Sequence, residues 1–204
     1  MTTLKPPTID PDAVAAAAHR FAATADPDIA YATIATPLGT LVAAGTGAGL
    51  VRLAYEDFNG GLDVILEQLS QQISPRILER ADRLDPVRRE LDEYFDGHRD
   101  RFDLPLDWRL TSPFQQRVLR ATAAIPFGET RTYAEIAAAA GNPGAARAAG
   151  TALGRNPMPV IVPCHRILRG GGALGGYTGG LDRKRLLLRI EGVGAGADTL
   201  PGFD

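Results

Sequence analysis

The one cysteine in 204 residues sits in the run Pro163-Cys164-His165-Arg166, which closes the apolar stretch 158–163. With no second cysteine, Cys164 has no disulfide partner in its own chain and cannot belong to a multi-cysteine metal site. A thiol at the mouth of a buried strand, followed at once by histidine and arginine, has surroundings that favour the thiolate, so Cys164 reads as a nucleophile. At its ordinary pKa near 8.5 a thiol is only about 3% ionised at neutral pH, and activation needs a base or a nearby cation. His165 is adjacent in sequence, but neighbouring side chains of an extended backbone point to opposite faces. A bridging water is therefore the expected route between thiol and imidazole. Glu191 is the candidate to orient that imidazole and stabilise its protonated form.

Two more segments carry chemistry by composition. In the stretch 170–180 seven of eleven residues are glycine, a density that allows positive φ and close approach of backbone to a ligand. A flexible linker would have the same composition, but Tyr177 and Thr178 place a stacking face and a hydroxyl inside it. Upstream, PGAARAAGTALG carries only Arg147 and Leu153 as side chains larger than threonine or proline. It reads either as a loosely packed surface helix or as one built slim so that its backbone can approach another body. The minor groove of B-DNA is only about 6 Å wide, and a slim helix with one long cation suits it.

These residues need a frame. The apolar runs Ala30–Ala35, Thr40–Ala44 and Gly49–Tyr55 are separated by Gly- and Pro-containing turns and read as a small antiparallel meander. Helical patterns follow over Leu62–Ile73 and Pro86–Phe95. The fold class is thus an α/β N-terminal domain, with a small antiparallel sheet plus helices, followed by a mostly α C-terminal domain containing a helix-turn-helix. The expected boundaries are an N-terminal extension (1–28) with an Ala-rich segment Asp12–Ala25, the α/β domain (29–101), a linker (102–111) and the C-terminal domain (112–204). Within the last, Ser112-Pro-Phe-Gln115 has capping-box spacing and opens a helix from Pro113 to about Ala124. Thr132-Tyr-Ala-Glu135 opens a second helix that Gly141 stops. Asn142-Pro143 starts a third, running to about Gly154, and the pair forms the helix-turn-helix. A strand over Met158–Val162 then delivers Cys164, and a last helix spans Leu181–Ile190.

Composition bounds the function. No apolar run approaches the roughly 20 residues of a membrane span, and the N-terminus lacks an apolar signal core. The single thiol fits a reducing compartment, and the expected location is cytoplasmic. The formal charge of −2 conceals a division: residues 1–111 carry a net −7 and residues 112–204 a net +5, ten of the eleven bases in the latter being arginine. Solvated surface arginines would account for this as well as an anionic partner would.

Taken together, FQQRVLRATAAIPFGETRTYAEIA, AGNPGAARAAGTALGRNP, PVIVPCHRI, GYTGG and RLLLRIEG resemble the O6-alkylguanine-DNA alkyltransferases, also called methylated-DNA–protein-cysteine methyltransferases. The resemblance spans 112–193, and the N-terminal unit is compatible with it. It implies a DNA repair protein that takes the alkyl group of O6-alkylguanine onto its own Cys164 after flipping the base out of duplex DNA. On this resemblance Arg147 is the finger that fills the gap left by the base, and Tyr133 presses on the neighbouring phosphate. Thr178 contacts O6, where family members often have serine, and Tyr177 donates to the purine. His165 removes the thiol proton through a water, backed by Glu191. Asn156 binds backbone at the turn presenting Cys164, and Arg166 either supports that loop or is a surface cation. The partner is double-stranded DNA bound through its minor groove. A monomer is expected, with clustering on DNA left open, and no cofactor or metal. The product thioether is a poor leaving group, so the reaction ends after one turnover. A damage-binding module without transfer activity, a helix-turn-helix regulator and a cysteine hydrolase are the alternatives. The last two leave the slim helix or the PCHR run without a role.

Overall fold

In the computed structural model, residues 26–194 are described, and the Ala-rich segment Asp12–Ala25 lies outside them. Three strands form the expected meander: β1 (Ile29–Thr36), β2 (Gly39–Thr46) and β3 (Gly49–Tyr55), each antiparallel to the next. Helix α1 (Leu62–Gln72) follows, then a strand with no alternation to announce it, β4 (Ile77–Glu79), which pairs parallel to β1. The sheet is therefore mixed, in the order β3-β2-β1-β4, and not purely antiparallel. Helix α2 (Ala81–Phe95) starts five residues before Pro86, which stands inside it. A proline at the first helical position was the natural start signal. Here the missing N–H instead deprives the Asp82 carbonyl of a donor, and Leu84, Val87, Leu91 and Tyr94 still hold the helix on the sheet.

Both faces of the sheet are covered. Val42, Ala44, Val51 and Ala54 face Ile65 and Leu69 of α1. Leu41, Ala43, Leu53 and Tyr55 face the opposite way, into a core shared with α2 and the C-terminal helices. The strands accordingly read as nearly unbroken apolar runs, with the period of two hidden in which side each residue takes. The linker is packed along β3: Leu50 N–H donates to the Pro105 carbonyl and Asp107 N–H to the Leu50 carbonyl, both at 2.8 Å.

The C-terminal half is built from short capped helices. Ser112 Oγ accepts from Gln115 N–H at the start of α3 (Pro113–Ala123). A two-residue strand β5 (Arg131–Thr132) precedes α4 (Tyr133–Ala139), whose capping box is closed by Thr132 and Glu135. Gly141, at φ +81°, ends the turn of that helix. Helix α5 runs over Ala146–Gly154, starting later than Asn142-Pro143 suggested. It buries Ala149, Ala152 and Leu153 and exposes Arg147, Ala148 and Thr151. β6 (Ile167–Leu168) pairs parallel to β5, which brings the residues after Cys164 beside the start of α4. Helix α6 (Leu181–Ile190) ends directly before Glu191.

Candidate active site

The segment 158–162 is not a strand. It is a sequence of turns in which Val160 takes φ +74°, the left-handed region that a β-branched residue enters at a cost of about 1–3 kcal/mol. Asn156 holds this turn from inside: its Oδ1 accepts from Met158 N–H at 3.0 Å, and its Nδ2 donates to the Val162 carbonyl at 2.9 Å. The same Nδ2 lies 3.2 Å from Cys164 Sγ, so Asn156 both shapes the loop and donates to the thiol.

Cys164–Arg166 form a single 3₁₀ turn. Successive side chains therefore radiate about 120° apart. Cys164 lines a cavity of 410 Å³ with Phe58, Tyr133, Gly154, Tyr177 and Thr178 among its walls. His165 goes to the rear, fully buried. A larger hollow of 730 Å³ lies on the other side of Arg166 and contains no cysteine, so size alone does not locate the chemistry.

Behind the thiol, Glu191 gathers five donors. Oε1 accepts from His165 Nε2 (2.8 Å), Tyr94 OH (2.7 Å) and Arg166 Nη2 (2.9 Å). Oε2 accepts from Arg166 Nε (2.8 Å) and Gly128 N–H (3.4 Å). Burial alone would raise this carboxyl, but His165 and Arg166 hold it down to about 2. An ionised carboxylate only accepts, so His165 must carry its proton on Nε2. Burial lowers the imidazole pKa, with Glu191 opposing, so the ring is neutral at rest. Its Nδ1 is then a free base, and it is the one buried side-chain nitrogen or oxygen without a partner among the described residues.

The thiol itself departs from expectation. Burial pushes Cys164 up to about 11, against donation from Asn156 and the nearby Lys184 charge. The basic neighbours do not yield a resting thiolate, because Arg166 is spent on Glu191 and desolvation outweighs what remains. Lys184 is also fully buried, its Nζ bonded to the Ile167 carbonyl, and burial lowers it to about 8.

In front of the thiol, Tyr133 stands at the first position of α4, half-buried, with its ring against Gly150 and its hydroxyl where a Cβ on Gly175 would lie. Thr178 Oγ1 makes only a long contact, 3.4 Å, to the Gly154 carbonyl. Tyr177 OH is 2.8 Å from Tyr55 OH. Arg147 is exposed on α5, and its guanidinium has no hydrogen-bond or ion-pair partner among the described residues. Arg155 is exposed as well: its N–H donates to the Ala152 carbonyl at 3.3 Å and its carbonyl accepts from Gln115 Nε2 at 2.8 Å.

The structure thus brings Cys164, Tyr133, Tyr177 and Thr178 to one cavity, places Asn156 against the thiol from within the loop, and sets His165 and Glu191 behind it, while Arg147 stands apart on the surface. Sequence reasoning missed Tyr94 and Lys184 and left Arg166 undecided. The signal for two of them was present. Lys184, Leu187, Leu188 and Glu191 fall at i, i+3, i+4 and i+7, one inward stripe of α6, and Tyr94 continues the Leu84-Val87-Leu91 stripe of α2. Phe58, 55% exposed at the cavity rim, had no local signal.

Comparison with known proteins covers both halves. Residues 113–193 match the family model described as 6-O-methylguanine DNA methyltransferase, DNA binding domain. Residues 29–108 match that described as 6-O-methylguanine DNA methyltransferase, ribonuclease-like domain. The methylated-DNA–protein-cysteine methyltransferase of Mycobacterium tuberculosis is 44% identical over 170 residues, covering 83% of this chain and 96% of that protein. The constitutive enzyme of that name from Bacillus subtilis is 40% identical over 166 residues, covering 80% and 95%. Among solved structures, Mycobacterium tuberculosis OGT in complex with DNA superposes with a TM-score of 0.70 at 40% identity, over 80% of this chain and 93% of that one. With both halves matched in order and nearly the whole length of such relatives covered, the chain belongs to the methylated-DNA–protein-cysteine methyltransferases.

Proposed function

We propose that this chain repairs O6-alkylguanine, chiefly O6-methylguanine, in duplex DNA by moving the alkyl group onto Cys164 once and irreversibly. The observation that carries the reading is the pairing of one thiol in a cavity with one unpartnered buried base, His165 Nδ1, whose tautomer Glu191 dictates. The resting thiol is protonated, so the proton leaves only when substrate is in place. It passes to Nδ1 through a water, as Sγ attacks the alkyl carbon in line. The S–C bond forms while the C–O6 bond breaks, and guanine departs with that electron pair and regains a proton. Glu191 stabilises the imidazolium, and Arg166 keeps Glu191 ionised. Donors at the cavity wall, Thr178 and Tyr177, receive the charge developing on the base.

A base inside a duplex cannot reach a cavity that nearly buries its nucleophile, which is the argument for flipping. Helix α5 presents small residues around the exposed Arg147, a shape suited to the minor groove with the arginine filling the vacated stack. Tyr133, held between α5 and the glycine-rich loop, presses on the adjacent phosphate. The protein acts as a monomer in the reducing cytoplasm, and the thioether it forms has no second thiol to pass to.

Incubation with a duplex bearing one O6-methylguanine, followed by intact-mass measurement, tests this. One added methyl group per protein is expected, and none in Cys164→Ser. Repeated turnover, or an unchanged mass, overturns the reading.

A further inference from the structure

The N-terminal domain supplies a hydroxyl to the site that no motif of the C-terminal half announces. Tyr55 is the last residue of β3 and is fully buried. The two-residue period of that strand puts it, with Leu53, on the face turned toward the C-terminal domain. Its hydroxyl meets that of Tyr177 at 2.8 Å, the rings standing edge to face at 6.2 Å. Its ring is held by two neighbours, Arg183 and Gly179. The Arg183 guanidinium lies 4.5 Å from the ring centroid. Arg183 is itself fixed by the Leu38 carbonyl (2.7 Å), the Gly179 carbonyl (3.0 Å) and Asp57 (2.7 Å). Gly179 also packs against the ring, so closely that a Cβ there would come within 2.4 Å of Tyr55 Cε2. The N-terminal domain thus packs against the glycine-rich loop one residue beyond Thr178.

Proton accounting gives the bond a direction. Two hydroxyls share one contact, so one proton is used and the other needs an acceptor. Among the described residues, Tyr55 has no acceptor but Tyr177, and Tyr55 does not line the cavity. Were Tyr177 the donor, a fully buried Tyr55 proton would be orphaned, which desolvation disfavours. Tyr177 is half-buried and lines the cavity, where water or a base can accept.

We propose that Tyr55 is a positioning residue of the alkyl-transfer site, donating its hydroxyl proton to Tyr177 so that the Tyr177 proton is aimed at the bound base. This rests on the reading of the site given above and adds to it a contribution from the N-terminal sheet. A phenol that accepts a hydrogen bond is the better donor for it, since chained bonds polarise one another. The arrangement therefore favours the charge that appears on the leaving guanine.

The test uses Tyr55→Phe, Tyr177→Phe and the double variant in the full chain. At saturating O6-methylguanine duplex, Tyr55→Phe is expected to slow single-turnover methyl transfer about tenfold, with duplex affinity unchanged, since an aimed donor acts on the transition state. The double variant is expected to be no slower than Tyr177→Phe alone, because both changes remove one relay. A Tyr55→Phe rate within twofold of the parent, or a double variant whose loss is the product of the singles, overturns the proposal. Thermal unfolding judges the direction of the bond without reference to activity. Tyr177→Phe, which orphans a buried donor, should lower Tm more than Tyr55→Phe, and the reverse order overturns it. A parent protein that transfers no methyl group would instead overturn the functional reading, leaving the Tm order to decide on Tyr55.

Discussion

The molecule is finished behind Cys164 and unfinished in front of it. At the rear, Glu191 is 4% exposed and accepts from His165, Arg166, Tyr94 and the Gly128 amide, with contributions from α2, the 3₁₀ turn and the segment between α3 and β5. At the front, Arg147 reaches from α5 with no side-chain partner among the described residues, Thr178 makes one long contact, and the cavity is open at Phe58. A buried charge must find its partners within the chain, because desolvation otherwise makes it untenable. An exposed one can wait for a partner from outside. On the function proposed above, the rear sets the chemistry and contributes to folding, whereas the front sets what is recognised and contributes little to stability.

Glu191→Gln should produce the largest effect on this contrast. It leaves Arg166 buried without its counter-charge, a loss of about 3–5 kcal/mol, and it removes the group that fixes the His165 tautomer. Thermal unfolding and methyl transfer should both collapse. The acid limb of the stability curve should change with them. Glu191 titrates near 2 in the folded chain against an ordinary 4.5, so its stabilisation is full above pH 4.5 and lost as the pH falls toward 2. His165, whose folded pKa is lowered, adds a loss in the same direction once the unfolded histidine begins to protonate. In Glu191→Gln the fall between pH 4.5 and 2 should be shallower. An unchanged Tm would mean that the rear cluster is not the structural centre described here.

Arg147→Ala should act the other way. It should cut methyl transfer from duplex roughly ten- to hundredfold, since flipping costs a few kcal/mol that the finger offsets. Reaction with free O6-benzylguanine and the Tm should stay as in the parent. Equal losses on duplex and free base would remove the finger role, and a large fall in Tm would erase the distinction between front and rear. The smallest effect is expected from pH on the protein without DNA. With the thiol pushed up to about 11 by burial, alkylation of Cys164 by iodoacetamide should keep rising between pH 9 and 11. A plateau below pH 7 would show a resting thiolate and contradict the site as described.

Local signals were legible where local physics decides. The caps at Ser112 and Thr132, the stop at Gly141, and the three strands with their turns all follow from neighbouring residues. So does the run of small residues in α5, which serves packing on one face and exposure on the other. The errors share a cause. The apolar run 158–162 has strand composition, but Asn156 folds it into turns through three hydrogen bonds, and Val160 is held in a conformation that no propensity favours. β4 is too short to show a period and exists because β1 has a free edge. Arg166 could not be told from a surface cation until Glu191, 25 residues away, was placed against it.

By itself, then, the sequence determined the candidate nucleophile and its order among the motifs: one thiol, flanked by histidine, after a slim helix and before a glycine-rich loop. Those are properties of residue type and spacing, which survive any folding. Only the tertiary structure decided the protonation states. Whether Cys164 rests as thiol, which nitrogen of His165 is the base, and which way the Tyr55–Tyr177 proton points all depend on burial and on partners distant in the chain. Desolvation and hydrogen-bond accounting are properties of the packed interior, and no stretch of sequence contains them.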